Sequence, residues 1–278
     1  MNTITTTSRL YCIFGSPVGH SLSPAIHNAA FAFHGIDAVY LAFEPRDIAG
    51  AVGAVRALDI QGASVTIPFK ESILPHLDWV DPLAEKIGAV NTLVNEGGTL
   101  KGYNTDLRAA VDPLDAHGIQ GKEVLVLGAG GAAKAVAHGI QDRGGRVTLA
   151  NRSSKAGEEL ARACGGRYYP MDDVQSLRPE MIINTTPVGM DKTPGLSCPP
   201  DCMEHRPVVM DVVYTPRRTQ LIELASEKGC PTVDGLAMFV SQAAAQFEHW
   251  TGIKPENEKM KSWALEGIQY QKEKNKGA

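Results

Sequence analysis

The chain has no excess of basic charge. Its 278 residues carry 27 Lys and Arg against 31 Asp and Glu, a net charge of −4. Nucleic acids and anionic membranes are held by basic patches, so neither is an expected partner. No apolar run is long enough to span a bilayer, and residues 1–9 lack the apolar core of a signal peptide. A cytoplasmic location is therefore expected. Cysteine is scarce and scattered, at 12, 164, 198, 202 and 230, an odd set that builds no disulfide framework. Cys198 and Cys202 stand four apart around Pro-Pro-Asp. A metal site would need two further ligands and only His205 is near, so both read as structural thiols and no metal is expected. Internal repeats and low-complexity tracts are also missing. With 43% hydrophobic and 21% charged residues, the composition supports one large or two medium globular domains.

Strand-like and helix-like segments alternate along the whole chain. Strands are expected at 10–14, 39–43 and 65–67, with helices at 23–34 and 48–58 between them. Two strands at 90–94 and 99–103 flank Glu-Gly-Gly and read as a hairpin. After a helix at 107–117 a second series begins: strand 124–127, helix 132–142, strand 147–150 and helix 154–164. Further strands follow at 181–184, 208–213 and 232–233, then helices at 236–250 and 256–272. Two such series predict two parallel-sheet α/β domains joined near residues 95–115.

Gly128-Ala-Gly-Gly-Ala-Ala133 follows an apolar strand and opens a helix, matching a dinucleotide-binding turn. Gly128 permits the tight turn, Gly130 lets the backbone approach a pyrophosphate, and Ala133 allows close helix–strand packing. The next strand runs into Asn151-Arg152-Ser153-Ser154-Lys155 and has no acid to accept from a ribose 2′-hydroxyl. Cationic and polar groups there suit a 2′-phosphate, so NADP is the expected cofactor.

Two places point to a small polar substrate. Ser21 and Ser23 precede a helix, where both could offer hydroxyls to one ligand or one could simply cap the helix. Gly62-Ala-Ser-Val-Thr-Ile-Pro-Phe-Lys70 is a short β-branched strand stopped by proline, with a lysine two residues on. A lysine at a strand end is usually just a solvated side chain, but this one lies beyond a carboxyl strand end, where ligands of open α/β sheets sit.

These runs carry a resemblance. Gly15-Ser-Pro-Val-Gly-His20-Ser21-Leu-Ser23-Pro-Ala-Ile-His27-Asn28 is complete for shikimate dehydrogenases, and Ser64–Lys70 is similar to their N-V-T-x-P-x-K run. Gly88-Ala-Val-Asn91-Thr92, Asn104-Thr105-Asp106, Asn184–Met190, Asp211-Val-Val-Tyr214-x-Pro216 and Asp234-Gly-Leu-x-Met238-x-x-x-Gln242 complete the set in order. The resemblance implies reversible NADPH-dependent reduction of 3-dehydroshikimate to shikimate, in aromatic amino-acid biosynthesis. It implies an N-terminal substrate-binding open sheet (1–106), a Rossmann-type NADP-binding domain (107–236) and C-terminal helices (237–278) returning to the substrate domain, with the active site in the cleft between domains. By motif position, Lys70 and Asp106 would be the catalytic pair. Ser21, Ser23, Ser64, Thr66, Asn91, Tyr214 and Gln242 would hold substrate, with Asp106 sharing in its hydroxyls. Gly131, Ala132, Thr185 and Val213 would join Gly128, Gly130, Asn151, Arg152, Ser153 and Lys155 around the cofactor, with Gly235 and Met238 near the nicotinamide.

Two positions depart from the family pattern. Ser64 stands where asparagine is usual, so a substrate contact would be lost or bridged by water. Leu107-Arg108 replaces the glycine after N-T-D, an expected packing adjustment. His20 and His27 read as structural, through helix-end hydrogen bonds. A quinate/shikimate dehydrogenase using NAD is the alternative within the fold, and Asn151-Arg152-Ser153 argues against it. A ligand sensor without turnover should lack Lys70 or Asp106, and both are present. A homodimer is the one macromolecular assembly left open.

Overall fold

The structure is a computed structural model and describes residues 4–276. In chain order its elements are β1 (Arg9–Phe14), α1 (Ser23–Phe33), β2 (Ala38–Phe43), α2 (Ile48–Ala57), β3 (Gly62–Val65), β4 (Trp79–Val80), α3 (Pro82–Ile87), β5 (Thr92–Glu96) and β6 (Thr99–Tyr103). Then come α4 (Asp106–Asp115), β7 (Glu123–Leu127), α5 (Gly131–Asp142), β8 (Arg146–Asn151), α6 (Ser154–Cys164), β9 (Arg167–Pro170), β10 (Met181–Asn184), β11 (Val208–Asp211), α7 (Gln220–Glu227), β12 (Thr232–Val233), α8 (Gly235–Thr251) and α9 (Asn257–Lys276). The chain divides into two compact units: one runs up to Thr105 and resumes at Val240, and the other is Asp106–Phe239. Among the described residues no helix is long and apolar enough to cross a membrane.

The first unit holds a six-stranded sheet in the order β2-β1-β3-β5-β6-β4. β1 is parallel to both β2 and β3, and the β5–β6 hairpin enters antiparallel to β3, so this sheet is mixed. One face packs Cys12, Phe14, Ala63, Val65 and Leu93 against Val52 and Val55 of α2. The opposite face carries an aromatic layer in which Tyr11 meets Phe31 at 4.9 Å and Trp250 at 5.4 Å. Trp250 reaches this face from α8 and donates its indole N–H to the Leu93 carbonyl at 3.0 Å.

Two expected strands are displaced. β3 ends at Val65, not Ile67, because the Phe69 N–H bonds back to the Thr66 carbonyl at 2.8 Å and closes a turn, leaving Ile67 69% exposed. β5 begins at Thr92 instead of Val90, since the Val90 N–H is taken by the Lys70 carbonyl at 2.8 Å.

The second unit is an all-parallel sheet, β12-β11-β10-β7-β8-β9, which is the doubly wound dinucleotide-binding order with its reversal at β7. Both faces are apolar: Val124, Val126, Leu149 and Ile183 pack toward α4 and α5, and Leu125, Leu127, Ile182 and Val209 toward α7. Burial on both faces explains the unbroken apolar runs of these strands. β11 stops at Asp211, two residues before the sequence pattern suggests, because the Val213 N–H turns to the Asp211 carboxylate.

Candidate active site

In the first unit the motif residues gather at one edge of the sheet. β1 and β3 are parallel and end at Phe14 and Val65, so Ser21 and Ser23 follow one strand end and Thr66 and Lys70 the other. β5 runs the opposite way, with Ser64 facing Thr92 and Thr92 facing Tyr103. That register puts Asn91, Asn104 and Thr105 at the same edge as the end of β3. Ligands in open α/β sheets sit beyond carboxyl strand ends.

Hydrogen bonds fix several of these groups. The Val18 N–H donates to Glu44 Oε1 at 2.7 Å and steadies the loop leading to Ser21. Ser21 Oγ accepts from the Ser23 N–H at 3.2 Å, just before α1. Asn28 binds both Tyr40 backbone groups at 2.8 Å, tying α1 to β2. Asn91 Oδ1 accepts from the Thr105 N–H at 2.9 Å and the Thr92 hydroxyl at 2.7 Å, while its Nδ2 donates to Thr105 Oγ1 at 2.9 Å. Thr105 in turn donates to the Gln242 carbonyl at 3.3 Å. Asn91 and α8 are thereby joined through one threonine. Lys70 is half-buried.

Ser64 is buried, and its hydroxyl accepts from the Tyr40 phenol at 2.6 Å and donates to Gln246 Oε1 at 2.8 Å. Gln246 Nε2 continues the chain to the Asn91 carbonyl at 3.0 Å. A serine has one proton to give, and here it goes to Gln246. Sequence reasoning did not single out Tyr40 or Gln246. They lie far from Ser64 in the chain, and no local pattern marks a long-range polar pair.

The expected helix-end hydrogen bonds of His27 are not formed. His27 lies inside α1, stacked on Tyr40 at 4.7 Å and edge-on to Trp250 at 5.0 Å, with neither ring nitrogen in hydrogen-bond geometry. Complete burial pushes its pKa down to about 3, so the ring is neutral. His20 is exposed, and its carbonyl accepts from Gln271 Nε2 at 3.3 Å.

In the second unit the cofactor motif forms a turn beyond β7. Gly128 has φ +111, and a Cβ there would sit 2.6 Å from the Thr185 hydroxyl oxygen, so only glycine fits this turn. Thr185 donates to the Leu127 carbonyl at 2.6 Å. Gly130 precedes α5, and a Cβ on it would meet nothing within 4 Å. Gly131 and Ala132 form the first turn of α5, whose free N–H groups favour phosphate. At the end of β8, Asn151 Nδ2 donates to the Ser153 carbonyl at 3.0 Å, and Ser153 Oγ caps α6 by accepting from Ala156 N–H. Arg152 and Lys155 are exposed, and among the described residues neither has an ion-pair partner. Open space over Gly130 at a helix N-terminus, with unpaired cations at the next strand end, fits a dinucleotide bearing a 2′-phosphate.

Val213 and Met238 are buried, and Gly235 opens α8. Tyr214 is half-buried with its ring 4.7 Å from Phe239, and burial raises its phenol to about 12. Asp106 is buried in the first turn of α4, where the helix dipole favours a carboxylate. Among the described residues no cluster of His, Cys, Asp and Glu could hold a metal ion.

The chain matches three family models in order: the shikimate dehydrogenase substrate binding domain over residues 13–93, shikimate / quinate 5-dehydrogenase over 113–187, and the shikimate 5′-dehydrogenase C-terminal domain over 235–262. Shikimate dehydrogenase (NADP(+)) of Moorella thermoacetica is 44% identical over 262 residues, covering 87% of this chain and 88% of that protein. The enzyme of the same name from Thermococcus kodakarensis is 41% identical over 276 residues, covering 94% and 97%. The crystal structure of shikimate 5-dehydrogenase from Thermus thermophilus, in complex with NADP(H) and shikimate, superposes with a TM-score of 0.85 at 35% identity, covering 93% of this chain and 99% of that one. Identity of this extent over nearly the full length of the relatives shows that the chain belongs to the shikimate dehydrogenase family.

Proposed function

We propose that the protein reduces 3-dehydroshikimate to shikimate, reversibly, with NADPH as hydride donor, in aromatic amino-acid biosynthesis. The observation that carries this reading is the placement of both motif sets at carboxyl strand ends, each within its own unit: Ser21, Ser23, Thr66 and Lys70 beyond β1 and β3, and Gly128, Asn151–Lys155 and Thr185 beyond β7, β8 and β10. Two α/β units, one on a mixed sheet and one on a parallel sheet with a built dinucleotide turn, suit a reaction between a nucleotide and a small polyol acid.

The chain's own groups have separable tasks in this scheme. Ser21, Ser23, Thr66, Asn91 and Gln242 offer hydroxyl and amide groups to the substrate's hydroxyls and carboxylate, and Tyr214 serves the carboxylate as a neutral donor. The N-terminus of α5 and the Gly128–Gly131 backbone bind the pyrophosphate. Arg152 and Lys155, with Asn151 and Ser153, take the 2′-phosphate. Val213, Gly235 and Met238 bound the nicotinamide, which supplies the hydride when bound. Lys70 gives its Nζ proton to the carbonyl oxygen as charge develops there, and the Asp106 carboxylate orients it. In the oxidative direction the neutral lysine takes the proton back from the hydroxyl. The protein is read as cytoplasmic, and a homodimer is the assembly that sedimentation would test.

The test is spectrophotometric: purified protein with shikimate should reduce NADP at least about tenfold more efficiently than NAD, and should prefer shikimate to quinate. Equal or better turnover of quinate with NAD would favour the quinate/shikimate alternative.

A further inference from the structure

Beyond β10 and β11, three segments of the second unit converge on one carboxylate. Asp211 closes β11 and is 0% exposed. Its Oδ1 accepts from Asn184 Nδ2 at 2.9 Å and from the Val213 N–H at 3.0 Å, and its Oδ2 accepts from the Thr219 hydroxyl at 2.7 Å.

Each donor governs a different stretch of chain. Asn184 Oδ1 accepts from the Thr186 N–H at 3.1 Å and the Thr186 hydroxyl at 2.7 Å, and its Nδ2 also donates to the Val188 carbonyl at 3.0 Å. The loop after β10 is wrapped around that amide. Thr219 Oγ1 accepts from the Ile222 N–H at 3.3 Å and caps α7. The Val213 N–H locates the peptide that faces the start of α8: a Cβ on Gly235 would be 2.6 Å from the carbonyl oxygens of both Val212 and Val213. That crowding lets a small shift of Val213 reach α8 directly.

Among the described residues no lysine or arginine pairs with Asp211. Three donors replace part of its hydration, yet burial prevails and its pKa rises to about 6. Cys198 is the titratable group that senses Asp211, and its hydrogen bond to Cys202, with burial, pushes its thiol up, so it stays neutral. An amide at this position cannot accept through its nitrogen, so it cannot reproduce all three contacts.

We propose that Asp211 is a positioning residue for the nicotinamide end of the cofactor: its carboxylate holds the loop of residues 184–190, the Val213 peptide and the start of α8 in one geometry, and NADP affinity follows its ionisation. This rests on the reading of the second unit as an NADP site. The ionised form is the competent one, because only it accepts from all three donors at once. Affinity therefore falls as pH drops through the range in which Asp211 takes up a proton.

Calorimetric titration of NADP+ into wild type, Asp211→Asn and Asp211→Ala, from about pH 8 to about pH 5, tests this, with thermal unfolding of each variant alongside. The cofactor's 2′-phosphate, a phosphate monoester with a pKa near 6, titrates in the same window. It does so equally for every variant, so the reading is the difference between curves. Wild type should lose about tenfold more affinity than Asp211→Asn on going to the acid end, a difference of about 1.4 kcal/mol. Asp211→Ala, lacking all three contacts, should bind about thirtyfold more weakly at pH 8, with the KM for shikimate changed less than about threefold. Parallel curves for wild type and Asp211→Asn, or a folded Asp211→Ala within twofold of wild type at pH 8, would overturn the proposal. If the alanine variant does not fold, the comparison of wild type with asparagine decides alone. A wild-type protein that binds no NADP+ at any pH would instead overturn the cofactor reading itself.

Discussion

Ser64 gives its single hydroxyl proton to Gln246, 2.8 Å away, across 182 residues of sequence. The same oxygen accepts from Tyr40 at 2.6 Å, so the hydroxyl is committed inside the unit on both sides. Its place near the end of β3 makes it a brace under Asn91, since Gln246 passes the contact on to the Asn91 carbonyl.

Replacing Ser64 with asparagine should therefore lower activity. The larger side chain has to enter a closed space between Tyr40 and Gln246, and overpacking of this kind costs about 1–3 kcal/mol. Thermal unfolding should occur several degrees lower, and the KM for shikimate should rise. A lower KM with turnover preserved would show that the space accepts an amide.

Lys70→Ala should reduce turnover by about a hundredfold or more while moving the KM for shikimate only modestly, because the lost interaction is with charge that develops in the transition state. Steady-state kinetics at saturating NADP and shikimate separates the two effects. Turnover within a few-fold of wild type would remove Lys70 from the chemistry.

Arg152→Ala should weaken NADP far more than NAD. Arg152 is exposed at the end of β8 with no ion-pair partner among the described residues, so its removal leaves the fold alone and deletes a phosphate contact. Equal losses for both cofactors in a binding titration would count against a 2′-phosphate site there.

His27 should make the protein acid-sensitive. Its pKa is depressed to about 3 in the folded state, so below the ordinary histidine value the unfolded chain binds a proton that the folded one does not. Stability is thus lost as pH falls from about 6.5 toward 3, by about 1.4 kcal/mol per pH unit for this one group. His27→Phe keeps an aromatic ring against Tyr40 and Trp250. Between pH 7 and pH 5 it should lose about 2 kcal/mol less stability than wild type in urea denaturation. Identical pH dependence in the two proteins would contradict the buried neutral ring.

Much of this architecture is legible in the sequence because it is local. The turn at Gly128–Ala133, the hairpin at Gly97-Gly98 and helices such as Ser154–Cys164 carry their signals within a few residues. Four elements escaped that had weaker marks: α3, α7, β9 and β4, the last only Trp79–Val80. α3 has Asp81 capping it, Pro82 at its first position and Gly88 after it, start and stop signals that bracket only 6 residues. α7 is capped by Thr219 in a similar way, and β9 is a short edge strand of only Arg167–Pro170. The polar braces were not legible. Ser64–Gln246, Gln246–Asn91 and Asn184–Asp211 join residues from separate elements, and no spacing rule links them. Asp211 and Asn184 could be named as motif members, but that three chain segments hang on one carboxylate is a tertiary fact.

Shikimate oxidation with NADP can be followed directly. The most direct measurement is absorbance at the reduced-nicotinamide band as purified protein is mixed with shikimate or quinate, each with NADP or NAD. NADP should be reduced rapidly with shikimate and NAD more slowly, with weak or no turnover of quinate. No reduction with shikimate and either cofactor, from protein that is folded by circular dichroism, would contradict it.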